Sequence, residues 1–183
     1  YKLCKDQEVV FKKRSKLERA RIFFFEGLQI LSEVQDVGIR ADLDYFADQD
    51  LRLIEEKERL ERELLSRREA REFERQAGRA INLRSDKDLR ELLFKVMKLK
   101  PTKLTATGQP SVDREVMEKL GVRFSEKIVR LRKIEKIKGT YLAQFVREVS
   151  EDGKLHPFFD LHTSRSYRSS SSHPNFQNIP VRD

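Results

Sequence analysis

The chain has 183 residues, with 39 Lys or Arg against 31 Asp or Glu, a formal net charge of +8 and a pI near 9.6. That length holds one domain, or a domain with an arm, and excludes two large cores. Charged and hydrophobic residues stand at 38% each with only seven Gly and five Pro, which fits extended amphipathic helices and excludes a disordered chain or a β-sandwich as the reference expectation.

The positive balance favours an anionic partner, nucleic acid or an acidic membrane surface, although composition alone leaves a merely basic soluble protein equally open. The single Cys4 cannot form an internal disulfide, and His156, His162 and His173 lack zinc-site spacing, so no metal is expected. No apolar run approaches the roughly 18 to 20 residues that span a bilayer; "RIFFFEGLQIL" is interrupted by Glu26 and Gln29. A soluble, cytoplasmic chain without a secretion signal or membrane partner is expected. A start at Tyr1 without methionine suggests a piece of a longer polypeptide.

Residues 1–16 form a basic lead-in with "KKRSK", read as an arm or a first turn. From Leu17 to about Val37, Ile22, Phe23, Phe25, Leu28, Ile30, Leu31 and Val34 recur at three-, four- and seven-residue spacings, which predicts a helix with a broad buried face, stopped by Gly38. Asp42 is positioned to cap a second helix running to about Gln76, a rod on the order of 50 Å long. Its "EEKERLERELLSRREAREFER" run reads first as a solvated face or coiled-coil flank. Gly78 breaks the rod, and a short extended piece at Ile81, Asn82 and Leu83 leads to Ser85, which with Asp88 three residues on has the pattern of a capping box.

"KLKPTKLTATGQPS" reads as a loop, and Ser111 as the cap of a short helix through Val116, Met117 and Leu120 that Gly121 ends. Ser125 is expected to open a longer helix to about Val149, apolar at Ile128, Leu131, Ile134, Ile137, Leu142, Phe145 and Val146. Its other side carries Lys127, Arg130, Arg132, Lys133, Lys136 and Lys138. After Ser150 the helical period ends, and "GKLHPFFDLHTSRSY" reads as irregular strand pieces about a turn at Asp152 and Gly153. No fixed-period repeat is present.

A basic helix flank beside a Lys/Thr/Gly/Ser loop suits a nucleic-acid backbone. Helix N-termini at Ser85 and Ser111 offer N–H groups to phosphate, and Lys103, Lys136 and Lys138 add point charges. The uncharged ending "SSSSHPNFQNIP" suits a different task. Asn and Gln carry both donor and acceptor, and the minor groove places acceptors at nearly the same position in every base pair, so Arg168, Asn175, Gln177 and Asn178 suit a test of duplex shape without sequence. A flexible polar tail remains the alternative.

"SYRSSSSHPNFQNIPVRD" resembles the family A DNA polymerase motif TGRLSSxxPNLQNIP, which leads from thumb to palm. Upstream, "KIKGTYLAQF", "INLRSDKDLRELLF" and "EGLQILSEVQDVGIRADLDYF" resemble further family segments in the family's order, so the resemblance covers roughly residues 20–183. It implies a mainly α fold, a long antiparallel helix pair with a small helical tip (a polymerase thumb) and a short irregular β/loop C-terminal arm. The implied division is a basic lead-in over 1–16, a helical thumb-like domain over 17–150 and the start of a palm over 151–183.

By the same resemblance, Asn82, Ser85, Lys103, Ser111, Lys136, Lys138 and Thr140 would touch phosphates of a primer–template duplex. Arg168, Asn175, Gln177 and Asn178 would meet its minor groove. Two departures stand out: Ser166-Tyr167 replaces the family's Thr-Gly and Ser169 its Leu, and a tyrosine restricts the backbone beside Arg168. Family members use two metal ions on palm carboxylates and a fingers helix, in motifs such as DYSQIELR, RxxxKxxxFGxxYG and VHDE, none of which occurs before Asp183.

The chain is therefore expected to have no catalytic residue or metal site of its own, with Mg²⁺ belonging to the complete polymerase. Its partners would be primer–template DNA and the palm and fingers portion of the enzyme, in the same or a separate chain. A binding subunit of a split polymerase and a helical coiled-coil interaction protein are the alternatives. The adjacent Leu53 and Ile54 and the gap from Leu65 to Phe73 break the heptad seam that the coiled coil needs.

Overall fold

Helical periodicity dominates the computed structural model, which describes residues 2–164 and 168–177. The basic lead-in is itself helical: α1 covers Lys2–Lys12, and α2 follows over Ser15–Val37. Gly38 ends α2 as the sequence predicts, its N–H donating to the Val34 carbonyl. Only glycine fits here, because φ is 70° and a Cβ would lie 2.6 Å from the His156 ring. After β1 (Ile39–Arg40) come α3 (Leu43–Ser66) and α4 (Arg68–Ala77).

The expected single rod is thus broken. Arg67 takes an extended conformation (φ −71°, ψ 154°), and the turn re-aims α4 so that Ala70 and Phe73 enter the core. Gly78 ends α4 in the left-handed region at φ 69°. The short helices α5 (Asp86–Arg90) and α6 (Arg114–Lys119) are followed by α7 (Arg123–Lys136) and α8 (Ala143–Glu148). Wide i→i+5 turns occupy Glu91–Val96 and Ile137–Leu142. Three short strands close the described chain: β2 (Lys154–Leu155), β3 (Phe158–Asp160) and β4 (Ser170–Ser172).

The chain packs as two units, residues 44–142 and residues 1–43 with 143–183, so packing draws its lines inside the 17–150 stretch. In the first unit, α3 and α7 run antiparallel: Glu63 meets Lys127, Glu56 meets Arg130 and Asp50 meets Lys138, one number falling as the other rises. Beyond the end of this pair, Leu64, Phe73, Leu89, Leu92, Met117, Phe124 and Ile128 form one buried cluster, the core of a small helical tip.

In the second unit, β1 pairs antiparallel with β2 and β3 with β4. The Gln35 side chain accepts from the Phe159 N–H at 2.8 Å, and Lys154 donates to the Val37 carbonyl at 2.8 Å, tying the end of α2 to these strands. The broad buried face expected of α2 is not there, since none of its residues is buried and Phe23, Phe25 and Ile30 are 55%, 58% and 61% exposed. Partial cover is confined to Glu18 and Arg21, which pair with each other, and to the row Ala20, Phe24, Gly27, Leu31 and Gln35, which a single helix touching α1 and β3 can achieve. Among the described residues no helix is long and apolar enough to cross a membrane.

Candidate nucleic-acid interface

Local chemistry positions the first group of expected residues. Ser85 caps α5, its Oγ accepting from the Asp88 N–H at 3.2 Å. Only half of the expected capping box forms. Asp88 turns to the Arg79 guanidinium (2.6 and 2.9 Å) and to the Asn82 N–H (3.0 Å), and is 3% exposed. The arginine holds the Asp88 carboxyl down to about 2, against its ordinary 3.8, with burial opposing and the Asn82 N–H assisting. Asn82 is exposed, and its Oδ1 accepts from the Arg84 N–H at 3.0 Å, while among the described residues its amide nitrogen has no partner.

Ser111 does not cap α6; Asp113 does, accepting from the Val116 N–H at 2.9 Å. Ser111 is 6% exposed, its N–H donates to the Lys103 carbonyl, and its Oγ accepts from the Asp113 N–H at 3.2 Å, so the hydroxyl serves the loop. Lys103 in turn donates to Asp113 at 2.8 Å and lies 3.7 Å from Glu115. Hydrogen bonding from Lys103 is the main cause that lowers the Asp113 carboxyl to about 2. The helix expected to open at Ser125 opens at Arg123, because buried Ser125 donates to the Val122 and Met117 carbonyls from inside the first turn.

The basic flank of α7 is corrected most. Arg130 grips Glu56 bidentately at 2.8 and 2.9 Å, Lys127 pairs with Glu63, Lys138 with Asp50, and Arg132 with Asp86 and the Val112 carbonyl. Lys57 and Glu135 are 3.7 Å apart, and Arg84 adds a 2.6 Å bond to Glu135. Hydrogen bonds from Arg130 and Lys127 hold the Glu56 and Glu63 carboxyls below the usual range. Acidic residues of α3 stand opposite Lys127, Arg130 and Lys138, so that part of the stripe clamps two helices together, while Arg132 ties α7 to the tip. Lys136 and Thr140 are the exposed remainder, Thr140 on the wide turn after α7.

The second group lies in the other unit. Arg168 is exposed, as is Gln177, whose Nε2 donates to the Ser169 carbonyl and, at 3.1 Å, to its hydroxyl. Asn175 Oδ1 accepts from the Gln177 N–H at 3.0 Å, and Ser171 Oγ accepts from the Phe176 N–H at 3.0 Å. Phe176 stacks on Phe145 with centroids 5.5 Å apart. Over the described residues 168–177 the ending is thus a folded loop, built by side-chain bonds to its own backbone. Asn178 and the departure at Ser166-Tyr167 lie outside the described residues. Among the described residues, no group of three or more His, Cys, Asp or Glu side chains is arranged to hold a metal ion.

Sequence reasoning missed Arg79, which orients Asp88, and the true cap Asp113; the cap-type residues Ser111 and Asp113 two positions apart were the available signal. The sequence signature of DNA polymerase family A matches residues 52–183, which is most of the chain. This chain belongs to that family. It is 35% identical over 158 residues to the thermostable DNA polymerase I of Thermus caldophilus, covering 84% of this chain and 18% of that protein. To the DNA polymerase of Escherichia phage T5 it is 30% identical over the same length, with the same coverage. The chain therefore spans less than a fifth of these family A relatives. Its fold is similar to the POL domain of Pol1 from M. smegmatis in complex with DNA primer-template and dNTP. The TM-score is 0.67 and the identity 27%, over 84% of this chain and 26% of that one.

Proposed function

We propose that this chain is the thumb portion of a family A DNA polymerase and holds primer–template duplex during DNA replication or repair. Residues 17–150 make the helical thumb and 151–183 the start of the palm. The carrying observation is the antiparallel α3/α7 pair with its helical tip, in a chain similar to a polymerase domain solved with primer-template. Asn82, Lys136 and Thr140, exposed in the 44–142 unit, supply phosphate contacts, and Ser85, Lys103, Ser111 and Lys138 hold the surface that presents them. Arg168, Asn175, Gln177 and Asn178 meet the minor groove, the first three from a loop whose shape its own hydrogen bonds set.

The exposed apolar residues of α2 pack against the palm and fingers portion of the polymerase, in the same or a separate chain; a surface this apolar is seldom left to water. Catalysis and Mg²⁺ belong to that portion, and nucleotide incorporation by the 183-residue chain alone with Mg²⁺ would contradict the assignment.

Binding of the chain to primer–template duplex between about 50 and about 200 mM salt tests the reading. Lys136→Ala should flatten the plot of log affinity against log salt by about 0.9. Asn178→Ala should weaken binding without changing that slope. If Lys136→Ala leaves the slope unchanged and duplex binds no better than polyglutamate, the thumb reading is wrong.

A further inference from the structure

At the tip of the 44–142 unit, Lys87, Arg90 and Phe94 follow one another at three- and four-residue spacing along α5 and the wide turn after it, so they share one face. Gln109 and Pro110 of the tip loop stand across from them, and together with Glu91 and Lys95 they line a cavity of about 300 Å³ in which three cations outnumber one carboxylate. The loop wall is firmly built. Leu104 and Pro110 form a bridge, the Thr105 N–H donates to the Gln109 carbonyl at 2.7 Å, and the Gln109 N–H returns a 3.2 Å bond to Thr105 Oγ1.

Charge sets this cavity apart. On α7, Lys127 and Arg130 meet carboxylates of α3, whereas among the described residues Lys87 and Arg90 have no ion pair or side-chain hydrogen bond, although Arg90 is half-buried. Lys95 on the same wall has only Glu91, 3.7 Å away. A half-buried guanidinium without an acceptor favours an anionic ligand that supplies one. Phe94 and Pro110 add apolar surface, and the Gln109 amide offers a donor and an acceptor. Cations beside an aromatic ring are the combination with which proteins hold unpaired nucleotides, phosphate on the charges and base on the ring. The volume, at the small end of ligand cavities, suits one nucleotide and not the width of a duplex.

We propose that the cavity lined by Lys87, Arg90, Phe94 and Gln109 binds one unpaired nucleotide of single-stranded DNA. The proposal rests on the reading of the chain as a DNA-binding part of a polymerase, and adds a single-strand site to the duplex surface.

The test is fluorescence anisotropy of the 183-residue chain with three probes: an oligothymidylate of about 12 nucleotides, a strand of equal length with abasic spacers, and an acidic peptide containing phenylalanine. The oligothymidylate should bind about fivefold or more tighter than the abasic strand. Lys87→Ala/Arg90→Ala should weaken its binding about tenfold or more and flatten its salt slope by about 1.4. Because Phe94 also touches the core, two variants probe the base: Phe94→Leu and, on the loop wall, Gln109→Ala. Each should narrow the gap between base-bearing and abasic strands, with the thermal midpoint recorded alongside.

Equal binding of the two strands by the wild type, indifference to Lys87→Ala/Arg90→Ala, or tighter binding of the acidic peptide would each overturn the proposal. Failure here leaves the duplex reading separately measurable, because Lys136→Ala acts on duplex binding and should not alter oligothymidylate binding.

Discussion

Asp88 is buried, yet its oxygens are fully occupied by Arg79, the Asn82 N–H and Ser85. With a folded value of about 2 against an ordinary 3.8, it stabilises the fold above about pH 4 and loses that contribution as pH falls through about 2. Asp88→Ala should lower stability by about 2–3 kcal/mol at pH 7, since it strands the Asn82 N–H and takes the carboxylate from Arg79. Urea titrations should show the gap from wild type narrowing between about pH 4 and about pH 2. A gap independent of pH would remove the carboxylate from this role. The capping serine was legible from its spacing to Asp88, but Arg79 was not, because it lies nine residues before Asp88, outside any helical spacing, and only folding of the intervening segment brings the two together.

At the scale of elements, the α3/α7 contact is an ion-pair ladder laid over an apolar seam. The Glu56–Arg130 rung is bidentate but partly open to solvent, which limits its worth. A double-mutant cycle with Glu56→Ala and Arg130→Ala should return a coupling of about 0.5–1 kcal/mol, diminished by salt. A coupling near zero would mean the apolar seam alone holds the pair. The helical periods of α2, α3 and α7 could be read from apolar spacing. The break at Arg67 could not, as no Gly or Pro marks it; the tip core decides it by taking in Ala70 and Phe73. The wide turn at Glu91–Val96 likewise has no Gly or Pro to mark it, whereas Gly139 lies inside the one at Ile137–Leu142.

For the whole molecule, the second unit leaves Phe23 and Ile30 more than half exposed, seven residues apart on one face of α2. The isolated chain should therefore self-associate, and Phe23→Lys/Ile30→Lys should reduce light scattering while leaving helical circular dichroism unchanged, because neither side chain supports the fold. Loss of helix in that variant would show the face to be internally packed.

Helical class, the stop at Gly38, the loop at the tip and membership of the polymerase family were all determined by the order of residues, because periodicity, glycine geometry and motif spacing are local properties. Which cations remain free was decided only in three dimensions. A lysine on a helix flank looks the same whether it faces water, a phosphate or a glutamate, and here α3 lies antiparallel to α7 with its carboxylates against Lys127, Arg130 and Lys138. The fold thus spends Lys127, Arg130 and Lys138 on itself and, among the described residues, leaves Lys87, Arg90 and Lys136 without carboxylate partners to meet an anion.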